Sequence, residues 1–505
     1  MKSRGTKSKA VKFIDRNRKY FFAIIAGLGF TNVVLLAVSY LVYPGYLDHG
    51  EPNMALISWR LLDGLPAYLG FDSPFLVSNV YGPLTYSSQA LSFWLFGSTI
   101  LPGKVVSFLA AVLIPVFVFL SHRHKGFEAA AAGAIFASAL MLFLVPFSIW
   151  TRPEPLMALL GVIAVWSANA SDPKKPEWGK SAVIAVTASL AVGMKLHAGI
   201  YFAPVVIFHC LNGNRGFKTF AAMAGVGLTV VLLPFAFSVF PISDFWAWIF
   251  HHLKKDSLSQ FVFKHVRYGF IYASPALFYL AASRWSGKSH SLAEKVYFGV
   301  FMACLFATLF PAMKVGAGTY YFYPFLAVLL DQILRHAVRV KKHKKGIWGL
   351  FGVLTAILLV TSIPTQKRFF RALHWQEVEA VQSEIRAIMA AYPDRTIEMG
   401  VGQDVRTYPR TFYRTLLVMA GHPYTIDAGP AMEMNMWKIP LSDDLLSMIR
   451  GCNTDIWLIP KDEKPFAMIG YYGVPTLDRA FANTFLASYT KLKSFDYFDV
   501  WACNN

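Results

Sequence analysis

Long apolar runs, broken by short polar segments, fill residues 1–364, and a mixed helix and strand pattern follows in 365–505. A helical membrane span needs roughly 20 mostly apolar residues, with about 17 as a lower limit. Runs that meet this lie at 20–43, 103–121, 128–150, 219–240, 295–313 and 346–364. Shorter runs at 155–170, 181–194, 198–211, 268–283 and 319–335 are further candidates. The pattern predicts a polytopic α-helical membrane domain over 1–364, followed by a soluble α/β domain over 365–505.

One segment, 82–97, carries Gly, Pro, Thr, Ser and Gln around a short apolar centre. Charge decides its placement. If it does not cross, every basic loop falls on one side: His122-Arg123-His124-Lys125, Lys174-Lys175, Arg215 with Lys218, Arg284 with Lys288, and the run Arg339–Lys345. Basic loops mark the cytoplasmic side. The reading is therefore eleven spans, N-terminus inside, C-terminal domain outside, in a multi-pass cell (inner) membrane protein. Segment 44–102 then lies outside, with surface helices expected at Met54–Leu62 and Gly82–Phe96. The basic stretch Lys2–Lys19 precedes an apolar run too long for a cleaved signal, so 20–43 reads as the first span.

Composition adds one trap. The net charge of +19 could suggest nucleic acid, but the basic residues sit in the short loops between apolar runs, and no nucleic-acid motif appears. The four cysteines show no metal-like spacing. Cys210 and Cys304 fall in apolar runs. Cys452 and Cys503 each abut an expected strand of the outer domain, where oxidation permits them to pair.

The hairpin 181–211 has arms of about 14 residues, which rise only about 21 Å against a hydrocarbon core of ~30 Å. Its turn, Met194-Lys195-Leu196-His197, therefore sits below the outer surface. A lysine at that depth is costly unless it faces water or an anion. Thr151-Arg152-Pro153-Glu154 is recessed in the same way. Together they imply a cavity open to the outside, lined by Lys195, Arg152 and Glu154. Just after the first span comes Tyr46-Leu47-Asp48-His49-Gly50-Glu51-Pro52-Asn53, with two carboxylates three residues apart. A carboxylate held there is suited to deprotonate a hydroxyl. By itself the cluster is also what a solvated helix start looks like, with Glu51 near a helix N-terminus.

The cluster does not stand alone. It is followed by Trp59-Arg60-Leu61-Leu62-Asp63-Gly64-Leu65-Pro66-Ala67-Tyr68, by Ser78-Asn79-Val80-Tyr81-Gly82-Pro83-Leu84-Thr85-Tyr86 and by Leu95-Phe96-Gly97. In this order the chain resembles the GT-C class of membrane glycosyltransferases, those that use polyprenyl-phosphate sugars and are related to protein mannosyltransferases and the aminoarabinose transferase of lipid A. Arg152-Pro153-Glu154, Lys195, and Lys314 with Tyr320, Tyr321 and Pro324 match further motifs of that class, over about residues 20–335. Each motif is loose; their order and shared side of the membrane carry the likeness. The class often has adjacent acids, whereas here Asp48 and Glu51 are separated by His49-Gly50.

The resemblance implies a polyprenyl-phosphate sugar donor, an acceptor hydroxyl on a glycan, lipid or protein, and inversion through a carboxylate base. Asp48, Glu51 and Glu154 are the implied catalytic group. Arg60, Lys195, Arg152, Lys314 and Arg267 are candidates to hold the donor phosphate. His49, Asn79, Tyr81, His197, Tyr320 and Tyr321 are candidates for substrate contact. For Lys314 and Arg267 snorkelling at a helix end is the plain alternative; for Tyr320 and Tyr321 it is an aromatic belt. No cofactor or obligatory metal is expected, and a divalent cation is left open. His251 and His252 are adjacent and would diverge on a helix, a poor metal pair. The outer loop 241–267, with Trp246 and Trp248, reads as an interfacial helix, which in relatives gates the site. A transporter or flippase of a lipid-linked saccharide is the competing reading, but no internal repeat of the transporter kind is evident.

In the C-terminal part the pattern predicts helices at Glu377–Ala391, Thr411–Ala420 and Asp443–Ile449. It predicts strands at Thr396–Val401, Tyr424–Asp427 and Asp455–Pro460, and a closing hairpin from Tyr489–Lys493 and Phe498–Ala502. Gly400-Val401-Gly402 is too short for a dinucleotide site.

Overall fold

The computed structural model describes every residue except 1–8, 173–174, 176, 213–215, 255–260, 287–288, 315, 341–343, 471–472 and 505; for 9–16, 261–267 and 344 it describes the backbone only. Of the residues singled out above, Lys174, Arg215, Lys288 and Lys341-Lys342-His343 lie outside the described set, as does the Arg267 side chain.

The first apolar run forms α1, Lys9–Val42. Segment 44–102 folds as α2, Gly50–Arg60, and α3, Pro83–Phe96, near the ranges expected for its two helices, although α2 starts earlier than Met54 and is buried at every position except Trp59. The helices that follow in order are α4 Ile100–His122, α5 Phe127–Phe143, α6 Pro153–Asn169 and α7 Trp178–Met194. Next come α8 Gly199–Leu211, α9 Gly216–Leu232, α10 Ile242–Leu253 and α11 Phe261–Ser286. The last of the series are α12 Leu292–Ala312, α13 Leu326–Arg339 and α14 Lys344–Ala372. Among the described residues five helices are long and apolar enough to cross a bilayer, by length and composition. The protein is thus a polytopic helical membrane protein, while the count of eleven is not fixed by helix length. Six expected spans are helices of only 13 to 17 residues, α5 to α9 and α13, and of these α9 reaches span length only with the tight turn that extends it to Ala236.

The deviations have local causes. The run 128–150 stops being helical at Phe143, and its remainder turns toward Arg152. The run 319–335 opens with a tight turn, Thr319–Phe325, before α13. The expected loop 241–267 ends early, because α11 already starts at Phe261. The boundary drawn at 364 falls inside α14, which continues through Pro364 to Ala372. Gln366 explains the extension: it accepts from Asn32 Nδ2 of α1 at 3.3 Å and donates to Ser362 Oγ at 2.9 Å.

The C-terminal part opens with α15, Trp375–Ala391. It continues with α16 Arg414–Met419, α17 Ala428–Met436, α18 Asp443–Arg450 and α19 Arg479–Ser488. A four-stranded sheet runs in the order β1-β2-β4-β3, from Ile397–Met399, Ile456–Pro460, Phe498–Cys503 and Tyr489–Ser494. β1 and β2 are parallel and the rest antiparallel. All five residues of β2 are buried, as its unbroken apolar sequence requires. The closing hairpin is present, and Cys452 and Cys503 form a disulfide with Cα atoms 5.9 Å apart.

The strand expected at Tyr424–Asp427 does not join this sheet. Its backbone pairs instead with Leu76 of the loop between α2 and α3: Leu76 N donates to Thr425 O and Asp427 N donates to Leu76 O, both at 2.8 Å. The helices α17 and α19 were not anticipated. One apolar core runs from the membrane helices into this domain, taking in Val378, Ile397, Leu458 and Phe498.

Candidate active site

The Arg152-Pro153-Glu154 motif builds its own geometry. A residue before proline is pushed to extended backbone, and Arg152 sits at φ −132°, ψ 168°. Proline suits the first helical position, where no N–H is needed. Helix α6 therefore starts at Pro153, with Glu154 in its first turn and Arg152 left at the helix mouth. The Tyr81-Gly82-Pro83 turn works similarly for α3. Gly82 N donates to Met194 O at 2.8 Å, and a Cβ at Gly82 would lie 2.1 Å from the Gly193 carbonyl oxygen. Only glycine allows that approach, and it sets Tyr81 beside Lys195 at the end of α7.

Lys195 is 6% exposed and its Nζ pairs with Glu154 Oε1. It also lies 4.8, 5.3 and 5.0 Å from the ring centroids of Tyr81, Tyr320 and Tyr321. The two later tyrosines thus form part of a cage around a buried cation rather than a belt. His197 stacks on Tyr321 at 4.7 Å and 17°. Arg152 pairs with Asp48 Oδ1 and donates to the Tyr81 hydroxyl at 3.1 Å. A Cβ on Gly50 would stand 2.8 Å from Arg152 Nη2, so that glycine too allows a close approach.

The two acids after α1 differ sharply. Glu51 is fully buried and receives four donors: the Tyr40 hydroxyl, Leu47 N and Asp48 N at 2.9 Å each, and Thr151 N at 2.7 Å. Burial, then the Asp48 charge, raises its pKa. Asp48 keeps a quarter of its side chain exposed, with Oδ2 3.7 Å from His49 Nδ1. Burial would raise its pKa, but the Arg152 and His49 charges prevail and hold it at about 2. Lys104, which the sequence did not single out, locks this corner: its Nζ donates to the carbonyls of Tyr40, Tyr43 and Gly45 at 3.0, 2.6 and 2.6 Å.

These groups border a cavity of about 530 Å³, within the size range of small-molecule sites. Its cationic wall holds Arg152, Lys195 and Lys314; Lys314 Nζ also donates to Leu253 O at the end of α10 at 2.7 Å. His49, Asn79, Tyr81, His197, Tyr320 and Tyr321 line it too. Trp246 and His252 of α10 and Phe310 of α12 supply further wall. His251 turns away, Nδ1 to Ala247 O and ring against Phe71, so the two histidines diverge as expected.

Four residues proposed for the site do not face this space. Glu51 is enclosed by its donors, and Glu154 and Asp48 stand behind Lys195 and Arg152. Arg60 is a correction. It ends α2, 8% exposed, with its guanidinium over the Phe75 ring at 5.9 Å and away from the cavity lining. A cation at a helix C-terminus is favourable in its own right. Conversely, Asn53, Asp427 and Glu433 line the cavity and were missed. Among the described residues no group of three His, Cys, Asp or Glu side chains converges as metal ligands would.

Apolar helices joined by recessed polar turns, with a cation-walled cavity beneath an α/β domain, define a polytopic membrane protein of the GT-C fold. No protein-family model matches the sequence, and no curated relative does. Among solved structures the fold is similar to ArnT from Cupriavidus metallidurans bound to undecaprenyl phosphate, with a TM-score of 0.56 and 14% identity, covering 94% of this chain and 97% of that one. The apo form of the same protein gives 0.55 and 13%, covering 98% of each chain. The mycobacterial arabinofuranosyltransferase AftD reaches 0.49 at 13% identity, covering 96% of this chain and 40% of that one, and adds nothing to the fold assignment.

Proposed function

We propose that this protein is a membrane glycosyltransferase that moves a sugar from a polyprenyl-phosphate donor to an acceptor hydroxyl on the outer face of the membrane. The observation that carries the reading is the convergence of Arg152, Lys195 and Lys314 on one cavity, with the ionised, quarter-exposed Asp48 paired to Arg152 just behind that wall. The fold likeness to a protein whose structure holds undecaprenyl phosphate supports the lipid donor. Charge parity of the loops supports an outward-facing site.

In this reading the donor enters between helices, with its tail along the apolar stretch near Phe310 and Ile249. The phosphate meets Lys195, Arg152 and Lys314, and Glu154 holds Lys195 in place. Charged donors aimed at a leaving group act strongly in a site that excludes water. The acceptor hydroxyl gives its proton to Asp48 as its oxygen attacks the anomeric carbon. The bond from that carbon to the phosphate oxygen breaks, and the electron pair leaves with the lipid monophosphate. One displacement inverts the linkage. Glu51, with both oxygens committed to the 40–51 loop and Thr151, positions Asp48 rather than acting as base.

The test is transfer from labelled undecaprenyl-phosphate sugars by the purified chain. Asp48→Asn should lower the rate by about 10²–10⁴ with the melting temperature unchanged, whereas Glu51→Gln should lower the melting temperature. Wild-type turnover by Asp48→Asn would remove Asp48 as base.

A further inference from the structure

Lys104 lies near the start of α4, 1% exposed, and forms no ion pair among the described residues. A lysine buried in a helical membrane domain is costly, and where one occurs it marks function. We infer that Lys104 is a positioning residue for Asp48, setting the distance between the carboxylate base and the cation wall. This rests on the reading of Asp48 as base.

The ammonium supplies what α1 lacks. The last carbonyls of a helix find no partner inside it, and α1 ends at Val42 with no basic residue in its last turn. An ammonium has three donors. Those of Lys104 go to Tyr40 O, Tyr43 O and Gly45 O at 3.0, 2.6 and 2.6 Å. The rings of Tyr40, Tyr43 and Tyr46 surround it, with centroids 4.2, 5.3 and 5.4 Å from Nζ, a favourable setting for a desolvated cation. The chain from Tyr40 to Tyr46 is therefore wound around one charge. Asp48 follows Gly45 by three residues, and its own N–H and that of Leu47 are held by Glu51 Oε2 at 2.9 Å each. Lys104 fixes the chain that leads to Asp48, and Glu51 fixes the backbone of Asp48 itself.

The seat of Lys104 is tied in turn to the cation wall through α3. Ser92 Oγ and Gln89 Nε2 of α3 donate to Pro102 O and Gly103 O at 2.6 and 3.3 Å. At the other end of α3, Gly82 N and Thr85 Oγ1 donate to Met194 O at 2.8 and 3.1 Å, next to Lys195. Between Thr85 and Ser92 the helix rises about 10 Å. One helix thus holds the turn before Lys195 at one end and the start of α4 at the other. The Arg152–Asp48 pair joins the carboxylate to the wall at a single point. Lys104 holds the backbone behind it, as a reacting group kept to within about 0.5 Å requires.

The experiment assays Lys104→Met, which removes the donors and keeps a long side chain, as purified full chain in detergent. The probe is labelled undecaprenyl phosphate carrying a hexose, a pentose or a deoxyhexose, whichever wild type transfers. kcat should fall about 10- to 100-fold, the cost of displacing a reacting group, with KM and the binding of bare undecaprenyl phosphate within about threefold of wild type. A residue that only stabilised the fold would lower the melting temperature and leave kcat per folded molecule unchanged. In the Asp48→Asn background the same change should cost less than about threefold, because it acts through that carboxylate. Where Lys104→Met does not fold, Lys104→Arg, which puts the charge in a planar fork, should lower kcat with KM unchanged. Wild-type kcat in the folded variant, or the full loss repeated in the Asp48→Asn background, overturns the inference and leaves the donor reading standing. Wild-type turnover by Asp48→Asn removes the base and this inference with it. If wild type neither transfers a sugar nor binds undecaprenyl phosphate, the donor reading falls as well.

Discussion

Helix α4 links two clusters of buried charge that use the same residue types in opposite arrangements. At its first turn Lys104 locks the corner beside Glu51, Asp48 and Arg152. At its last turn His122 lies against Asp331. Asp331 is 1% exposed and sits at the centre of its cluster. It receives Lys125 Nζ and Asn169 Nδ2 at 2.9 Å each, Arg335 Nη2 at 3.0 Å and the Tyr297 hydroxyl at 3.2 Å. There the carboxylate is surrounded and the cations point inward. In the candidate site the cations stand in front, facing a cavity, and the carboxylates stand behind them. A centred, saturated acid ties helices together. Cations backed by acids present charge to something that enters.

The sharpest way to break this comparison is to neutralise one acid in each cluster. Asp331→Asn should destabilise the helical domain by about 3–5 kcal/mol, the usual cost of removing one partner from a buried ion pair. Asp48→Asn should leave thermal stability near wild type. Thermal unfolding in detergent decides; equal losses in both variants would erase the distinction.

The C-terminal domain supplies the next largest effects. Replacing Cys452 and Cys503 by serine opens a closed loop with a sequence separation of 51. It should cost about 2–4 kcal/mol, seen as earlier unfolding of that domain under oxidising conditions only by comparison with wild type. Reduction of wild type should reproduce the loss.

Glu398 should add a pH dependence. It lies in β1, 3% exposed, accepting from Thr425 Oγ1 at 2.5 Å, and burial pushes its carboxyl up to about 7 despite that bond. The folded state then holds the proton more tightly than the unfolded state, whose carboxyl is near 4.5. Domain stability from this group is full below about pH 4.5 and falls as pH rises to about 7, by up to about 3 kcal/mol. Glu398→Gln should flatten that slope. An unchanged slope would mean Glu398 is ionised when folded.

Much of this was legible as pattern, and the exceptions share a cause. Apolar runs located the helices, and the short 181–211 hairpin led to a recessed Lys195 because helix rise is fixed. The same shortness of run recessed Thr151-Arg152-Pro153-Glu154. What escaped depends on partners far along the chain. Asp48 and Glu51 looked alike until Thr151, a hundred residues on, was seen to close over Glu51. Arg60 looked like a phosphate ligand because nothing local reveals Phe75 beside it. Segment Tyr424–Asp427 has strand residues, but its pairing partner is Leu76 rather than the sheet. Helix α17 was not anticipated; its first turn holds Gly429 and Pro430, which are tolerated there behind the Asp427 cap.

The central claim is that the cation wall, and not the Asp331 cluster, receives a lipid phosphate. Undecaprenyl phosphate binding to the full chain in detergent tests it most directly, with Lys195→Gln and Lys314→Met set against Lys125→Gln. The account predicts that either wall variant weakens binding tenfold or more, while Lys125→Gln binds like wild type. Wild-type affinity in both wall variants, or an equal loss in Lys125→Gln, would contradict it.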